Sequence, residues 1–509
     1  MSSNTSRIAK NTLVLYFRQI LTMLVSLYTT RVVLETLGVE DYGIFTVIFG
    51  TVSLLSFLNG ALSSVTSRFF AYELANGNPE RLKSIFGAAR MINLIVCAFV
   101  ILVGATLGLW FLLNRLVIPP ARIGIAVIVY QIVIVNSIVS LMMITYTAAI
   151  IVHEHINVFA KLETINVTLK LLAAFLLPHM MLDKLLVYGL LLLVINMVIF
   201  MCYKLYCMKK YPESKSGLCA KAEYIKPMLA YSGIDLYGNF STIMRVHGTN
   251  VLLNLFFGAY LNAASGIAQQ IQGAVGRFSN NLLTAFRPQI IICYASGDKK
   301  KMSKYICYAA KYGFLLLFVI VFPLYLEMPF ILTLWLRNFP NYTIDFTRMI
   351  LLFVLISNFS SVFISGLHAV GKIKVPNLLN GSLYLTVVPV TFFLFSMGFS
   401  PIIPFAMNVV FVFFGAISNF IVFRYHIDEF SVKYFVETVI FPCLIIITLS
   451  SIIPISSFFF MTPGFLRFFI VLFSTFIFML TFTWLFGLEK TTKKIILNKI
   501  STGLIKCKN

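Results

Sequence analysis

Long apolar runs separated by short polar segments are the main pattern of this chain. A helix that crosses a hydrocarbon core about 30 Å thick needs about 20 apolar residues, and these runs have that length. They lie at approximately 12–34, 43–65, 91–113, 123–150, 164–178, 185–203, 228–257, 262–287, 312–333, 349–367, 376–397, 401–423, 434–453 and 465–487. The pattern therefore predicts an all-α polytopic membrane protein with about 14 transmembrane helices.

Composition agrees with this fold class. Hydrophobic residues make up 59% of the 509 residues and charged residues 11%, with a mean hydropathy of +0.92. A soluble protein with this balance would expose a large apolar surface. The first apolar run is as long as a span and has no clear cleavage site, so we interpret it as the first transmembrane helix.

The chain carries an internal repeat. Gly38, a span, Gly77 and a basic loop are matched by Gly258, a span, Gly297 and a basic loop, with an offset of 220 residues. The segments 155–158 and 372–375 match with an offset of 217. Repeated bundles form the two lobes of many secondary transporters. Because each copy has an even number of spans, we expect a pseudo-two-fold axis along the membrane normal.

The repeat predicts how the chain is divided. We expect an N-terminal six-helix lobe at 1–210, a cytoplasmic linker loop at 211–227, and a C-terminal six-helix lobe at 228–430. Helices 13 and 14 occupy 431–487 outside the repeat, and a basic cytoplasmic tail occupies 488–509. The two extra helices are almost purely apolar, so we expect them to face lipid rather than to form a site.

The charge of +22 is distributed as the positive-inside rule requires. With the N-terminus in the cytoplasm, most of the 40 Lys and Arg residues fall in cytoplasmic segments. The predicted external loops contain Arg31, Arg115, Arg122, Lys184, Arg337, Arg348 and Arg467. Both termini are therefore predicted to be cytoplasmic. This distribution argues for membrane insertion and against a nucleic-acid partner.

Motifs for enzymatic or metal chemistry are weak. The segment 366–373 approaches a phosphate-binding loop, but Ile373 stands where a Ser or Thr must reach magnesium. His153 and His155 invite a metal interpretation, yet we expect a solvated loop because their spacing suits no ligand set. None of the eight cysteines lies in a predicted external loop, which favours free thiols. We predict no enzymatic activity, no metal and no bound cofactor.

Five charged residues fall inside predicted spans, and they are Arg18, Lys170, Asp235, Arg245 and Arg277. A charge at the centre of a bilayer costs about 2.5–3.5 kcal/mol on insertion scales. These groups must therefore face one another or a wet cavity, although a structural ion pair or snorkelling explains a single member equally well.

Helical phase groups further polar residues with these charges. On span 7 the stripe contains Asp235, Asn239, Thr242 and Thr249, and on span 8 it contains Ser265, Gln269, Gln272, Gly276 and Asn280. Basic residues outnumber acidic ones within the spans, which suits an anionic ligand because Arg can contact phosphate with two parallel hydrogen bonds. A cation exporter is expected to have a cavity rich in carboxylates instead.

The start of the chain resembles a known family. The residues in question are Asn11, Tyr16 and Arg18, then Arg31-Val32-Val33-Leu34, then Leu37-Gly38-Val39-Glu40-Asp41-Tyr42-Gly43. They are similar to the opening of bacterial Wzx-type polysaccharide flippases, which belong to the MATE-like multidrug/oligosaccharidyl-lipid/polysaccharide (MOP) exporter superfamily. The arrangement of two lobes plus two extra spans extends this resemblance over the whole chain.

The resemblance implies a function. It implies that a polyprenyl-pyrophosphate-linked oligosaccharide, such as an O-antigen, capsule or exopolysaccharide unit, is moved by alternating access across the bacterial inner membrane. Candidate substrate-binding residues are Arg18, Arg31, Arg245, Arg277, Lys170, Asn239, Gln269, Gln272 and Asn280. Asp235 is the candidate for coupling to Na⁺ or H⁺. Expected partners are membrane lipid and a polysaccharide polymerase with its chain-length proteins, and the protein is expected to be a monomer.

Two alternatives remain open from the sequence. One is a MATE-like exporter of small amphiphilic molecules, which a more acidic cavity would favour. The other is a membrane glycosyltransferase or polymerase, which would require a large external loop with a catalytic cluster.

Overall fold

The computed structural model describes residues 2–219, 221–372, 374–488 and 493. Among these it does not describe the side chains of 2–21, 61, 75, 230–232, 234–235, 280–282 and 284–285. The secondary structure of the described residues is helical throughout. Ten helical stretches within them are long and apolar enough to cross a membrane. The chain is therefore a multi-pass membrane protein, as its hydropathy pattern predicts.

Eighteen α-helices can be numbered along the described chain. They are α1 Ser2–Ser53, α2 Phe57–Asn76, α3 Pro79–Val103, α4 Leu109–Asn114, α5 Ile123–Val152, α6 Ile156–Leu176, α7 Lys184–Lys210, α8 Ala222–Ile243, α9 Thr249–Phe257, α10 Ala259–Ala295, α11 Lys299–Leu326, α12 Met328–Leu336, α13 Thr343–Val370, α14 Lys374–Ser396, α15 Ile403–His426, α16 Val432–Phe435, α17 Phe441–Phe460 and α18 Phe465–Phe482. Short π-helical segments at Gly104–Gly108, Met244–Gly248 and Val436–Ile440 continue α3 into α4, α8 into α9 and α16 into α17.

All the predicted spans fall on these helices. The stretch Thr22–Leu74 contains the first two. The predicted spans at 164–178, 228–257 and 262–287 lie on α6, α8–α9 and α10, which are less apolar than the ten stretches. Those three helices carry most of the predicted site residues, and their polar side chains are the reason for the lower hydropathy. The predicted linker is shorter than 211–227, because α8 begins at Ala222 and accommodates Pro227.

Backbone conformation confirms the repeat. Gly38 has φ 79° and ψ 169°, and Gly258, 220 residues later, has φ 80° and ψ 178°. Both break a long helical segment in a region of conformation that is essentially restricted to glycine. The same offset separates two helix starts, since Asn78 accepts from the backbone N–H of Arg81 at 3.1 Å. Asp298 accepts from that of Lys301 at 3.0 Å.

The second match also has a structural basis. Glu154 has φ 59° and Gly371 has φ 79°, and they are 217 residues apart. Each lies in the turn that joins two long helices, α5 to α6 in the first copy and α13 to α14 in the second. Glycine suits this left-handed conformation, whereas glutamate pays a steric cost for it. The repeat therefore preserves the turn more closely than the residue type.

We expect Gly38→Ala and Gly258→Ala to destabilise the protein by similar amounts, about 1–3 kcal/mol each, because alanine is strained at these dihedral angles. The steric surroundings add little, since a Cβ at Gly38 meets nothing within 4 Å. Reversible unfolding in mixed detergent micelles measures the effect. Gly124→Ala is the control, because its added Cβ also meets open space but φ is ordinary. Equal stability of all three variants would contradict the prediction.

The chain groups into two compact units. Unit 1 contains the residues up to Gln270 together with 338–343 and 377–408, and unit 2 contains 271–337, 344–376 and the residues from Val409 onward. In the core of unit 1, Phe70 stacks on Phe86 at 5.4 Å between ring centroids, and Tyr146 meets Phe86 edge-on. The predicted lobes at 1–210 and 228–430 stay a prediction.

An arginine fork joins three helices of unit 1 at one end. Arg122, just before α5, donates from Nε to Asp41 Oδ1 at 2.8 Å and from Nη1 to Asp183 Oδ2 at 2.5 Å. Asp183 also caps α7 by accepting from the backbone N–H of Leu185 and Leu186. Burial alone would raise the pKa of Asp183, but these hydrogen bonds outweigh it and lower that pKa. Asp41, which belongs to the family-like motif, therefore has a structural role.

In unit 2 a buried ion pair fixes the C-terminal helical hairpin. Glu327 lies between α11 and α12 with 0% exposure, and Arg467 of α18 has 6%. Arg467 Nη2 donates to Glu327 Oε2 at 2.8 Å, and its guanidinium lies 4.8 Å from the Phe458 ring. The prediction that Arg467 is an external-loop charge is therefore wrong. The sequence gave no sign of this contact because the carboxylate lies 140 residues away.

We expect Arg467→Ala to destabilise the protein by about 3–5 kcal/mol, because it leaves the Glu327 carboxylate buried without its counter-ion. Replacing both residues with apolar ones of similar volume should cost much less than the two single changes added together. The same unfolding measurement in mixed micelles provides the test. Arg337→Ala is the matched control, since Arg337 is exposed. A loss for Arg467→Ala no larger than for this control would contradict the prediction.

Candidate functional site

The candidate site of unit 1 is centred on Arg245. This residue lies in the π-helical segment Met244–Gly248 and is 7% exposed. Its Nη1 donates to Asn408 Oδ1 at 3.1 Å, and its guanidinium lies 4.9 Å from the centre of the Tyr384 ring. Both contacts come from the second copy of the repeat, on α14 and α15. An amide and an aromatic face thus orient a buried cation.

The π-helical segment changes which side chains share a face. A π-turn inserts an extra residue into an α-helix and is frequent at functional sites. Beyond it, Thr249 is buried and donates its hydroxyl to the carbonyl of Arg245 at 2.7 Å. Before it, Thr242 is exposed and Asn239 half-buried. The predicted stripe of span 7 is therefore interrupted at Arg245, because the 100° step assumed for an α-helix does not hold there.

Amide and hydroxyl groups form a chain of hydrogen bonds between α9 and α10. Asn262 Nδ2 donates to the carbonyl of Asn250 at 2.7 Å, and Ser265 Oγ donates to Asn250 Oδ1 at 2.5 Å. Gln269 Nε2 donates to Ser265 Oγ at 3.2 Å, and Gln269 is half-buried. The predicted polar stripe of span 8 therefore begins as a buried contact between helices and becomes more accessible towards Gln269.

Small residues allow α1 to lie close to this chain. A Cβ on Gly50 would be 3.4 Å from His247 Nδ1, and one on Gly266 would be 3.0 Å from Thr46 Oγ1. His247 follows Arg245 by two residues in the same π-helical segment. The region around Arg245 is thus enclosed by α1, α9, α10, α14 and α15. Apart from Arg245, the polar groups that define it are neutral amides and hydroxyls.

The other predicted site residues are spread over the molecule. Arg31 and Lys170 are half-buried in unit 1, on α1 and α6, while Gln272 and Arg277 are half-buried on the part of α10 that belongs to unit 2. The side chains of Arg18, Asp235 and Asn280 lie outside the described residues. Their convergence with Arg245 on one ligand stays a prediction.

Sequence analysis overlooked a carboxylate that belongs with Lys170. Glu163 lies two turns earlier on α6 and interacts electrostatically with Lys170. Its Oε1 accepts from the Tyr203 hydroxyl at 3.1 Å. Glu163 was missed because the predicted span began at 164, whereas α6 begins at Ile156. The spacing of seven residues, which places both groups on one helix face, was the available signal.

The two histidines singled out in the sequence bind the linker. His153 Nε2 lies 2.6 Å from Glu213 Oε1 and its ring stacks on Tyr211 at 4.2 Å, while His155 Nδ1 lies 2.6 Å from the Tyr211 hydroxyl. Burial alone would raise the pKa of Glu213, but its hydrogen bond with His153 outweighs this and lowers that pKa. The predicted solvated loop is therefore a docking site for the linker. The described residues contain no cluster of three or more His, Cys, Asp or Glu that could hold a metal.

Comparison with known proteins identifies the fold. No protein-family model and no curated protein matches the sequence. Among solved structures, an inward-facing multidrug resistance MATE family transporter of the MOP superfamily matches with a TM-score of 0.67 and 13% identity, covering 82% of this chain and 98% of that one. Lipid II flippase MurJ in an inward closed conformation matches with a TM-score of 0.63 and 13% identity, covering 94% and 98%.

A third match is a MOP superfamily transporter from Pyrococcus furiosus, with a TM-score of 0.57 and 14% identity over 83% of this chain and 96% of that chain. The chain therefore has the MATE-like fold of MOP transporters and of MurJ. At these identities the similarity establishes the fold and leaves the ligand to be argued from the site.

Proposed function

We propose that this protein is a flippase that moves a polyprenyl-pyrophosphate-linked oligosaccharide from the cytoplasmic to the outer leaflet of a bacterial inner membrane. The O-antigen, capsule and exopolysaccharide repeat units are the substrates considered, and the local sequence motif around Gly38 to Gly43 supports this class. The match to lipid II flippase MurJ over 94% of the chain supports a lipid-linked substrate.

The buried guanidinium of Arg245 is the observation that carries the proposal. Arginine stays protonated at physiological pH and can donate two parallel hydrogen bonds to a phosphate group. Its contacts with Asn408 and Tyr384 hold it in place. The cost of keeping a cation in an apolar bundle is offset when an anionic ligand binds. A pyrophosphate is such a ligand, and the surrounding amides and hydroxyls suit sugar hydroxyl groups.

The energetics of transport agree with an anionic substrate. Moving a negative charge outward is favourable in an inside-negative potential, by about 2.3 kcal/mol per charge per 100 mV. Proposed alternating access of the two predicted lobes uses this gradient, and coupling to Na⁺ or H⁺ through Asp235 adds a second driving force. Both termini in the cytoplasm, a monomeric state, and cooperation with a polymerase and chain-length proteins belong to the same proposal.

The alternatives have less support. A MATE-like exporter of small amphiphiles shares the fold, but a cationic molecule would meet the buried charge of Arg245 with repulsion. A glycosyltransferase or polymerase would need a large external domain, and among the described residues the helices are joined by short connections.

We expect Arg245→Ala to reduce binding and transport of a lipid-linked oligosaccharide by roughly ten- to a hundredfold, since it removes a charged hydrogen bond worth about 1.5–3 kcal/mol. Arg245→Lys should restore only part of the activity, because lysine keeps the charge and loses the planar fork. The measurement is flipping of a fluorescent lipid-linked glycan in proteoliposomes, normalised to the amount of inserted protein.

The matched control for this prediction is Arg115→Ala. Arg115 is an exposed arginine of the same unit, and its guanidinium lies 5.8 Å from the Trp110 ring. It should flip the glycan at the wild-type rate. If Arg245→Ala and Arg115→Ala behave alike in the same liposomes, the cationic-site mechanism is wrong.

We expect Asp235→Asn to abolish dependence on an ion gradient while the protein still inserts, because the amide can neither release a proton nor bind Na⁺ as a carboxylate does. The test compares flipping with and without an imposed Na⁺ or H⁺ gradient. Glu163→Gln is the matched control, since Glu163 has a hydroxyl partner in Tyr203 and a charged neighbour in Lys170. Loss of gradient dependence in Glu163→Gln instead would assign coupling to α6.

A further inference from the structure

A cleft with basic walls lies in unit 1 where α7 ends and the linker begins, and it has a volume of about 380 Å³. Four lysines line it, namely Lys83 of α3, Lys209 and Lys210 in the last turn of α7, and Lys215 of the linker. Ser216 and Tyr211 complete the lining used here. We call this region the basic cleft.

The basic cleft retains positive charge after its internal ion pairs are considered. Lys83 pairs with Glu80 at 2.9 Å on the exposed surface, where such a pair is weak. Glu213, the next carboxylate along the linker, is engaged by His153 instead. The hydroxyl of Ser216 is buried, and among the described residues it has no hydrogen-bond partner. An anion with acceptor oxygens fits both the exposed ammonium groups and this hydroxyl.

An apolar ridge on α7 leads to the basic cleft. It consists of Val194, Met197, Val198, Met201, Leu205 and Met208, which recur at the three- and four-residue spacing of one helix face. Their exposure ranges from 38% for Met208 to 62% for Leu205. Met208 also lines the cleft, so the ridge and the basic cleft are continuous. A ligand that fits both has an anionic head and an aliphatic chain.

We propose that the basic cleft binds the phosphate group of an anionic phospholipid, with an acyl chain along the apolar ridge. Lysine is a compact, strongly hydrated charge that suits a phosphodiester at the membrane interface. Free phosphate has the same headgroup chemistry but gains nothing from the ridge. Because Lys209 and Lys210 belong to α7, while Lys215 and Ser216 belong to the linker, the bound headgroup also joins the linker to the end of that helix.

Unit 2 provides a matched comparison. A second cleft of about 440 Å³ is lined by Lys300, Lys301 and Lys304 at the start of α11, which is the repeat counterpart of α3. This cleft has basic side chains but no apolar ridge. Along the described residues of α11, Leu316 is the one large apolar side chain that is strongly exposed. The two clefts therefore separate the effect of charge from the effect of the ridge.

The experiment is native mass spectrometry of the full chain released from detergent micelles, titrated with phosphatidylglycerol or with phosphatidylcholine of the same acyl chains. We expect the tightest binding event to prefer phosphatidylglycerol. Each basic residue near an anionic headgroup contributes about fivefold in affinity, so Lys209→Gln with Lys210→Gln should weaken this event roughly thirtyfold. Lys300→Gln with Lys301→Gln should leave the tightest event unchanged.

Two further arms distinguish the possible sources of phosphate. Leu205→Ser should weaken binding of long-chain phosphatidylglycerol and leave binding of a dihexanoyl analogue unchanged, because the short chains do not extend along the ridge. Inorganic phosphate or pyrophosphate that displaces the lipid at equal concentration would overturn the proposal in favour of a free-anion or substrate-headgroup site. Equal losses in the two double variants, or equal binding of the two lipids, would also overturn it.

Discussion

A polar side chain inside an apolar helical bundle must find a partner in the protein, because the surrounding hydrocarbon supplies none. In unit 2, Glu327 and Arg467 meet this requirement as a buried ion pair that fixes the C-terminal hairpin. In unit 1, Glu163 interacts with Lys170 and Tyr203. Arg245 contacts an amide and a ring instead. Partner chemistry therefore distinguishes charges that stabilise the fold from a charge suited to a ligand.

The repeat explains where the long helices break. Gly38 and Gly258 adopt the same glycine-restricted conformation, and Asn78 and Asp298 cap equivalent helices. A break of this kind redirects the chain without a loop, so that few backbone groups are exposed to lipid. Function then depends on differences between the copies. The π-helical segment that carries Arg245 belongs to α8–α9, whereas its counterpart in the first copy is the N-terminal part of α1.

The proposed flippase function depends on the combination of fold and site. MATE-like folds transport different molecules, so the architecture leaves the substrate open. A buried guanidinium enclosed by amides and hydroxyls favours a phosphate-bearing glycan over a cationic amphiphile. The basic cleft and its apolar ridge are a separate feature. They concern the lipid that surrounds the protein rather than the molecule it moves.

The sequence by itself determined the helical class, the position of the spans, the repeat offsets and the choice of Arg245 as an intramembrane charge. These features follow from local periodicity and from the cost of charge in lipid, which a sequence displays directly. Only the tertiary structure decided which partner each polar group has. Asn408 is 163 residues from Arg245, and Glu327 is 140 residues from Arg467. The π-turn at Arg245 and the docking of His153 on the linker also depend on packing between distant segments, so local spacing could not reveal them.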